Sequence, residues 1–285
     1  MANNISLFKA TVPMLDEVYK QATLTGLLDG APVLAQAGAN ADEMIVPMLD
    51  MSGLADYDRA SGYRAGDVTL TNQTVRCNFD RGRLFTVDSM DDAETAGIAF
   101  GRLSGEFIRT RVVPELDAFR IAAYAGHTGA TLLTGSLSTG EAVVEALRAC
   151  VNALDESEVP FEDRVLFILP TLRGLIEDLD TVKSRAVLGR FSEVISVPRT
   201  RMYTKITQTD NGYHKADGAL DLNFLCVHKD AVIQFQKHIA PKVVPPELNQ
   251  DADAWKFGYR SVGIAAVYQN KAAGIYAHAA PGGGA

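Results

Sequence analysis

The longest periodic run of apolar positions lies in residues 91–125. Ala96, Phe100, Leu103 and Phe107 recur at spacings of four, three and four, one face of an α-helix. Leu116, Phe119 and Ala123 resume the pattern after Pro114. Asp91, Asp92 and Glu94 put negative charge at the predicted helix start, where it opposes the positive end of the dipole. Pro114 lacks a donor and crowds the preceding turn, which predicts a bend rather than a stop. At a rise of about 1.5 Å per residue the run would be roughly 50 Å long, a length suited to a scaffold spanning a subunit.

Downstream, helical and strand patterns alternate. Ser138 and Glu141 have capping-box spacing, the serine accepting from the helix start and the glutamate reaching back. Val143, Val144, Leu147, Cys150, Val151 and Leu154 then share one helix face. Residues 165–169 read as a buried strand, and a helix from Pro170 carries Leu172, Leu175, Ile176 and Leu179. Residues 194–197 and 224–227 give two more apolar strands. The polar stretch 200–222 between them holds a hairpin turn at Asn211-Gly212. This alternation predicts an α/β unit. Strands follow at 232–237, 262–268 and 274–278, then a flexible tail, 279–285.

The first 88 residues lack such a core. Residues 1–49, with Pro13, Pro32 and Pro47 and a short helix at 16–22, read as an arm that must lie on something else. Strands are expected at 67–71 and 74–79 around a turn at Asn72-Gln73, with a return strand at 83–88. Asp56, Asp58, Arg59, Arg64, Asp67, Arg76, Asp80, Arg81 and Arg83 stud this stretch. An isolated hairpin is marginal in water, and one polar on both faces would gain its order from a neighbouring subunit.

Composition narrows the function classes. The 285 residues are 47% hydrophobic and 22% charged, as in an ordinary soluble protein, and no apolar run is long enough to span a bilayer. The N-terminus has neither a basic start nor an apolar signal core. Cys77, Cys150 and Cys226 are odd in number and unpaired in spacing, which predicts reduced thiols. A net charge of −8 disfavours non-specific binding to a phosphate backbone. No lysine occurs between Lys20 and Lys183, so the cations there are arginines, the residue that suits contact surfaces.

Catalytic patterns are missing, and no cofactor or metal is implied. The five histidines have no ligand-like spacing. Gly126-His127-Thr128-Gly129 lacks the lysine of a phosphate loop, and no serine sits in Gly-x-Ser-x-Gly. Asp251 and Asp253 beside Trp255 could be read as an acid–base or metal pair, but exposed loop or interface residues are the commoner case. Trp255, Phe257 and Tyr259 alternate as on a strand, for core packing or an interface anchor.

Three stretches resemble signatures of tailed-phage major capsid proteins. They are Asp80-Arg81-Gly82-Arg83-Leu84-Phe85-Thr86-Val87-Asp88-Ser89-Met90-Asp91, Val112-Val113-Pro114-Glu115-Leu116-Asp117-Ala118-Phe119-Arg120, and residues 249–260 followed by a strand pair ending in Ala273-Gly274-Ile275-Tyr276. The resemblance implies the α+β Hong Kong 97-type capsid fold. Residues 1–49 would be the N-terminal arm, 50–88 the E-loop lying over an adjacent subunit, and 89–135 the P-domain spine helix. Residues 136–245 would be the A-domain and 246–285 the C-terminal strands that complete the P-domain sheet. It implies a structural, non-enzymatic protein whose pentamers and hexamers form an icosahedral shell around double-stranded DNA, assembled in a bacterial cytoplasm.

Its expected partners are copies of itself, a separate scaffolding protein, a portal and a possible decoration protein. Candidate inter-subunit contacts are Arg59, Arg64, Arg76, Arg81, Arg83, Asp251, Asp253 and Trp255. Some family members lock the shell with a lysine–asparagine bond from the E-loop; with no lysine there, a non-covalent shell is expected. No cleaved N-terminal scaffolding region is expected either. An encapsulin-type compartment and an α/β enzyme are the rival readings.

Overall fold

The computed structural model describes residues 23–30, 36–37, 43–59, 62–90, 103 and 105–282. In chain order its strands are β1 (Gln36–Ala37), β2 (Glu43–Met51), β3 (Val68–Arg76), β4 (Phe79–Asp88), β5 (Thr131–Thr134), β6 (Arg164–Ile168), β7 (Glu193–Ser196), β8 (Ile206–Thr209), β9 (Gly212–Lys215), β10 (Leu222–His228), β11 (Val232–Val244), β12 (Ala254–Val267) and β13 (Ile275–Ala279). The helices are α1 (Val113–Ala125), α2 (Gly140–Glu156), α3 (Pro170–Leu179) and α4 (Val182–Leu188).

One unit is a five-stranded sheet, ordered β5–β13–β10–β6–β7, that shares a core with α2, α3 and α4. All six apolar positions expected on α2 are buried, and every residue of β6 and β10 is buried. Burying each such Val or Leu is worth about 1.5–3 kcal/mol, so this unit carries most of the subunit's apolar stabilisation. The α2 cap differs from the expected one. Thr139, not Ser138, is the N-cap, its hydroxyl accepting from the Ala142 amide at 3.3 Å. Packing fixes that start: a side chain at Gly140 would lie 2.4 Å from the Leu175 carbonyl of α3.

His278 on β13 and His228 at the end of β10 are buried in or beside this core. His278 stacks on Phe224, and its Nδ1 lies 3.1 Å from the Asn223 side-chain nitrogen. Burial holds both imidazoles below their ordinary pKa, so the folded chain binds fewer protons than the unfolded one below pH of about 6.5. Stability contributed here is present above that pH and is lost as pH falls through it. Histidine NMR titration should place both midpoints below that of an exposed imidazole; a normal midpoint for either would contradict its burial.

The second unit is the sheet β11–β12–β4, packed on the spine helix α1. Phe79, Phe257 and Tyr259 meet Ile108, Val112, Val113 and Leu116. Phe85 and Phe107 join them, with ring centroids 4.8 Å apart. Residues 91–102 of the expected long helix lie outside the described residues, as does the expected helix at 16–22. Where the bend is expected, Ile108–Val112 adopts a π-helix, with the Val113 amide bonded to the Ile108 carbonyl five residues back. The wider register precedes Pro114, which lacks the amide an α-helix would use there.

Four further expectations are corrected. No turn occurs at Asn72-Gln73: β3 runs straight through, with Asn72 opposite Pro47 and Gln73 opposite Val46 on β2. Nine residues of pairing override the local turn preference, and the Gln73 amide donates to the Val267 carbonyl instead. The return strand pairs with β12 rather than β3. The strand pair expected to complete one sheet is divided. β12 joins β4, whereas β13 crosses to the other unit and pairs with β10 and β5. Gly274 permits that crossing, since a side chain there would meet Ala231 at 2.9 Å. Finally, the β8–β9 turn is Asp210-Asn211, with Gly212, at φ of 129°, opening the next strand.

Candidate assembly surfaces

The β2–β3 hairpin presents different chemistry at its two ends. Near its base Val46 and Val75, on one face, pack against Ile233 and Ile264. Toward its tip Leu49 lies opposite Leu70, and Met51 opposite Val68, on the other face. These four side chains are 52–66% exposed. The loop beyond, closed by Ser52 and Asp67, adds exposed Leu54, Tyr57 and Tyr63. The hairpin is therefore not polar on both faces. Its distal face is an apolar strip, the kind of exposed patch that marks a protein contact.

The predicted contact residues fall in four places. Arg59 and Arg64 stand exposed in the loop between β2 and β3. Arg76 pairs across the hairpin with Glu43 at 2.8 Å. Arg81 and Arg83 lie on the inner face of β4, between Phe79 and Phe85, and contact their own chain. Arg81 Nε is 2.8 Å from Glu115 and its Nη2 is 2.5 Å from the Thr209 carbonyl; Arg83 Nη1 is 2.7 Å from the Asp210 carbonyl. Asp251 accepts from Lys256, a bond that lowers its pKa, and the Asp253 carbonyl accepts from the Ser89 amide at 3.1 Å. Trp255 is half-buried on β12, opposite Val87. Among the described residues no cluster of His, Cys, Asp and Glu could hold a metal ion.

A buried polar junction went unnoticed in the sequence. Asp117 and Arg120, one helical turn apart on α1, are 0% and 2% exposed. Asp117 accepts from the Thr23 hydroxyl at 3.0 Å, the Leu24 amide at 3.1 Å, and the Thr25 amide and hydroxyl at 3.2 and 2.6 Å. Arg201, from the segment entering β8, pairs with Asp117 Oδ2, the oxygen that also accepts from the Leu24 amide, at 2.9 Å. Arg120 donates to the Thr25 hydroxyl and to Asp29, each at 3.0 Å. Gln234 on β11 donates to the Thr25 carbonyl at 2.7 Å and accepts from Tyr124 at 2.7 Å. Burial pushes the Tyr124 phenol well above its ordinary pKa, so it stays a donor. The junction ties residues 23–29, the spine helix and β11 to the segment that leads out of the five-stranded unit through Arg201.

No protein-family model and no curated protein matches this sequence. Solved structures do. A structure from Mycobacterium phage Che8 covers 90% of each chain at a TM-score of 0.61 and 14% identity. The capsid of cyanophage P-SCSP1u covers 89% of this chain and 86% of its own, also at 0.61 and 14%. The chain has the Hong Kong 97-type capsid fold. The same architecture extends to a virus-like particle from Pyrococcus furiosus, at a TM-score of 0.61 and 12% identity, over 95% of this chain and 99% of that one. At these identities the likeness is one of architecture. It places the apolar hairpin and the buried junction in a shell-protein fold.

Proposed function

We propose that the chain is the major capsid protein of a tailed phage, forming pentamers and hexamers that close into an icosahedral shell around double-stranded DNA. The observation that carries this reading is the exposed strip Leu49, Met51, Val68 and Leu70, set on a hairpin of a chain with a capsid fold. A monomer leaves that strip in water, and a neighbouring copy would bury it, so folding and assembly are partly one process. In this reading the hairpin from Glu43 to Arg76 is the E-loop, which moves its start into the stretch assigned to the N-terminal arm. The α1 spine with β4, β11 and β12 is the P-domain, and the five-stranded unit is the A-domain.

The shell would be non-covalent, built in the bacterial cytoplasm with a separate scaffolding protein and a portal, and with a decoration protein where one is present. Its role is structural rather than enzymatic. The net charge of −8 fits an inner wall along which DNA slides without sticking; a strongly basic inner wall would overturn that part. Among the described residues no helix is long and apolar enough to cross a membrane.

Electron microscopy of the chain, expressed with and without its scaffolding protein, tests the reading. Closed particles of uniform size are expected. Monodisperse monomers or dimers under both conditions would overturn it. The match over 95% and 99% of the two chains to the Pyrococcus particle favours a second reading, a compartment shell of the encapsulin type. Particles from the native source that enclose protein cargo and no DNA would select it.

A further inference from the structure

We infer that Arg81 and Arg83 are positioning residues that grip the β8–β9 turn and so fix the angle between the two units of the subunit, and with it the curvature of the shell. The inference rests on the shell reading. The β8–β9 hairpin is rooted in the five-stranded unit, where Tyr203 bridges to Asp221 and the Thr204 amide bonds to the Leu220 carbonyl at 3.0 Å. Its tip reaches β4 of the other unit. There Arg81 Nη2 lies 2.5 Å from the Thr209 carbonyl and 3.4 Å from that of Gly212. Arg83 Nη1 lies 2.7 Å from the Asp210 carbonyl, and its Nη2 lies 3.4 Å from Asn211 Oδ1. Two guanidinium forks thus hold four consecutive turn residues, and Glu115 on the spine helix steadies Arg81 from behind at 2.8 Å.

The register of β4 makes this arrangement a choice of the sequence. Phe79 and Phe85, on the same face, enter the core, and the two positions between them carry charge. On this side the units are separated by an open cavity of about 1080 Å³, whose lining includes the spine helix and the hairpin. Polar grips, rather than packed side chains, therefore set the spacing here. Lysine offers no planar fork and would hold the turn less well. A closed shell repeats one subunit many times, so a small change of internal angle accumulates over the particle.

The test compares Arg83→Ala, Arg83→Lys and Arg260→Ala with the unaltered chain. Arg260 pairs with Asp80 on exposed positions of the same sheet and serves as the control. Hydrogen exchange over residues 206–215 and particle diameter by electron microscopy are both read. Arg83→Ala is expected to speed exchange about tenfold and to shift or broaden the diameters. Arg83→Lys should fall between, and Arg260→Ala should match the unaltered chain. Unchanged exchange, or faster exchange with unchanged diameters, overturns the inference. If Arg83→Ala does not fold, Arg83→Lys is judged by the same two criteria. Failure of the unaltered chain to form particles overturns the shell reading and the curvature role with it. The exchange result still decides the grip on its own.

Discussion

Asp117→Ala is expected to destabilise the unassembled subunit by about 3–5 kcal/mol, the range for breaking one side of a buried ion pair. The carboxylate is fully buried and is the shared acceptor for the Thr23 and Thr25 hydroxyls, two backbone amides and Arg201. Alanine removes every acceptor at once. It leaves the Thr25 amide without its partner in a dry site and Arg201 facing a void. Asp117→Asn keeps one acceptor oxygen and the volume but loses the charge, so a smaller loss of about 1–3 kcal/mol is expected. Urea unfolding of the subunit measures both. A midpoint for Asp117→Ala that corresponds to less than about 1 kcal/mol would show that water repairs the junction. The same variant should speed hydrogen exchange in residues 23–30, because Asp117 and Arg120 are what hold them to the spine.

The sequence announced this junction only faintly. Asp117 and Arg120 are charges one turn apart on a helix whose other residues from Leu116 onward are Leu, Ala, Phe, Ile and Tyr, and nearly every side of that stretch is buried. Apolar periodicity marks Leu116, Phe119 and Ala123 but is blind to a polar pair whose partners arrive from 84 to 116 residues away. By contrast α2 was legible, because one amphipathic face against one sheet is what a spacing of three and four encodes. Its cap slipped by one residue, since Ser138 and Thr139 are equivalent in chemistry and packing at Gly140 decided between them. The Asn72-Gln73 turn failed for a related reason. A dipeptide preference is local, whereas β3 is set by nine pairs with β2. Arg81 and Arg83 read in sequence as charges seeking a contact, and their position between Phe79 and Phe85 on one strand face is the sign of the contacts they make within the chain.

Leu49→Asp with Leu70→Asp should abolish particle formation while leaving the subunit folded. The two leucines face each other across the hairpin and are 52% and 65% exposed, so the isolated subunit loses little by their replacement, within about 0.5 kcal/mol each. In a shell they would be buried, each worth about 1.5–3 kcal/mol, and aspartate in their place adds a cost of desolvation. Facing carboxylates also repel across the strands. A loss of about 4 kcal/mol at one contact lowers its association constant roughly a thousandfold, and every subunit of the shell carries that contact. Removing Arg59 and Arg64 should matter far less, since exposed ion pairs are worth about 0–1 kcal/mol and their loss is masked by salt. Circular dichroism and urea unfolding check the fold, and sedimentation checks assembly. Normal particles from the double aspartate variant would mean that the apolar strip is not a subunit contact. Loss of particles from Arg59→Ala with Arg64→Ala alone would mean that charge, rather than apolar burial, drives the hairpin onto its neighbour.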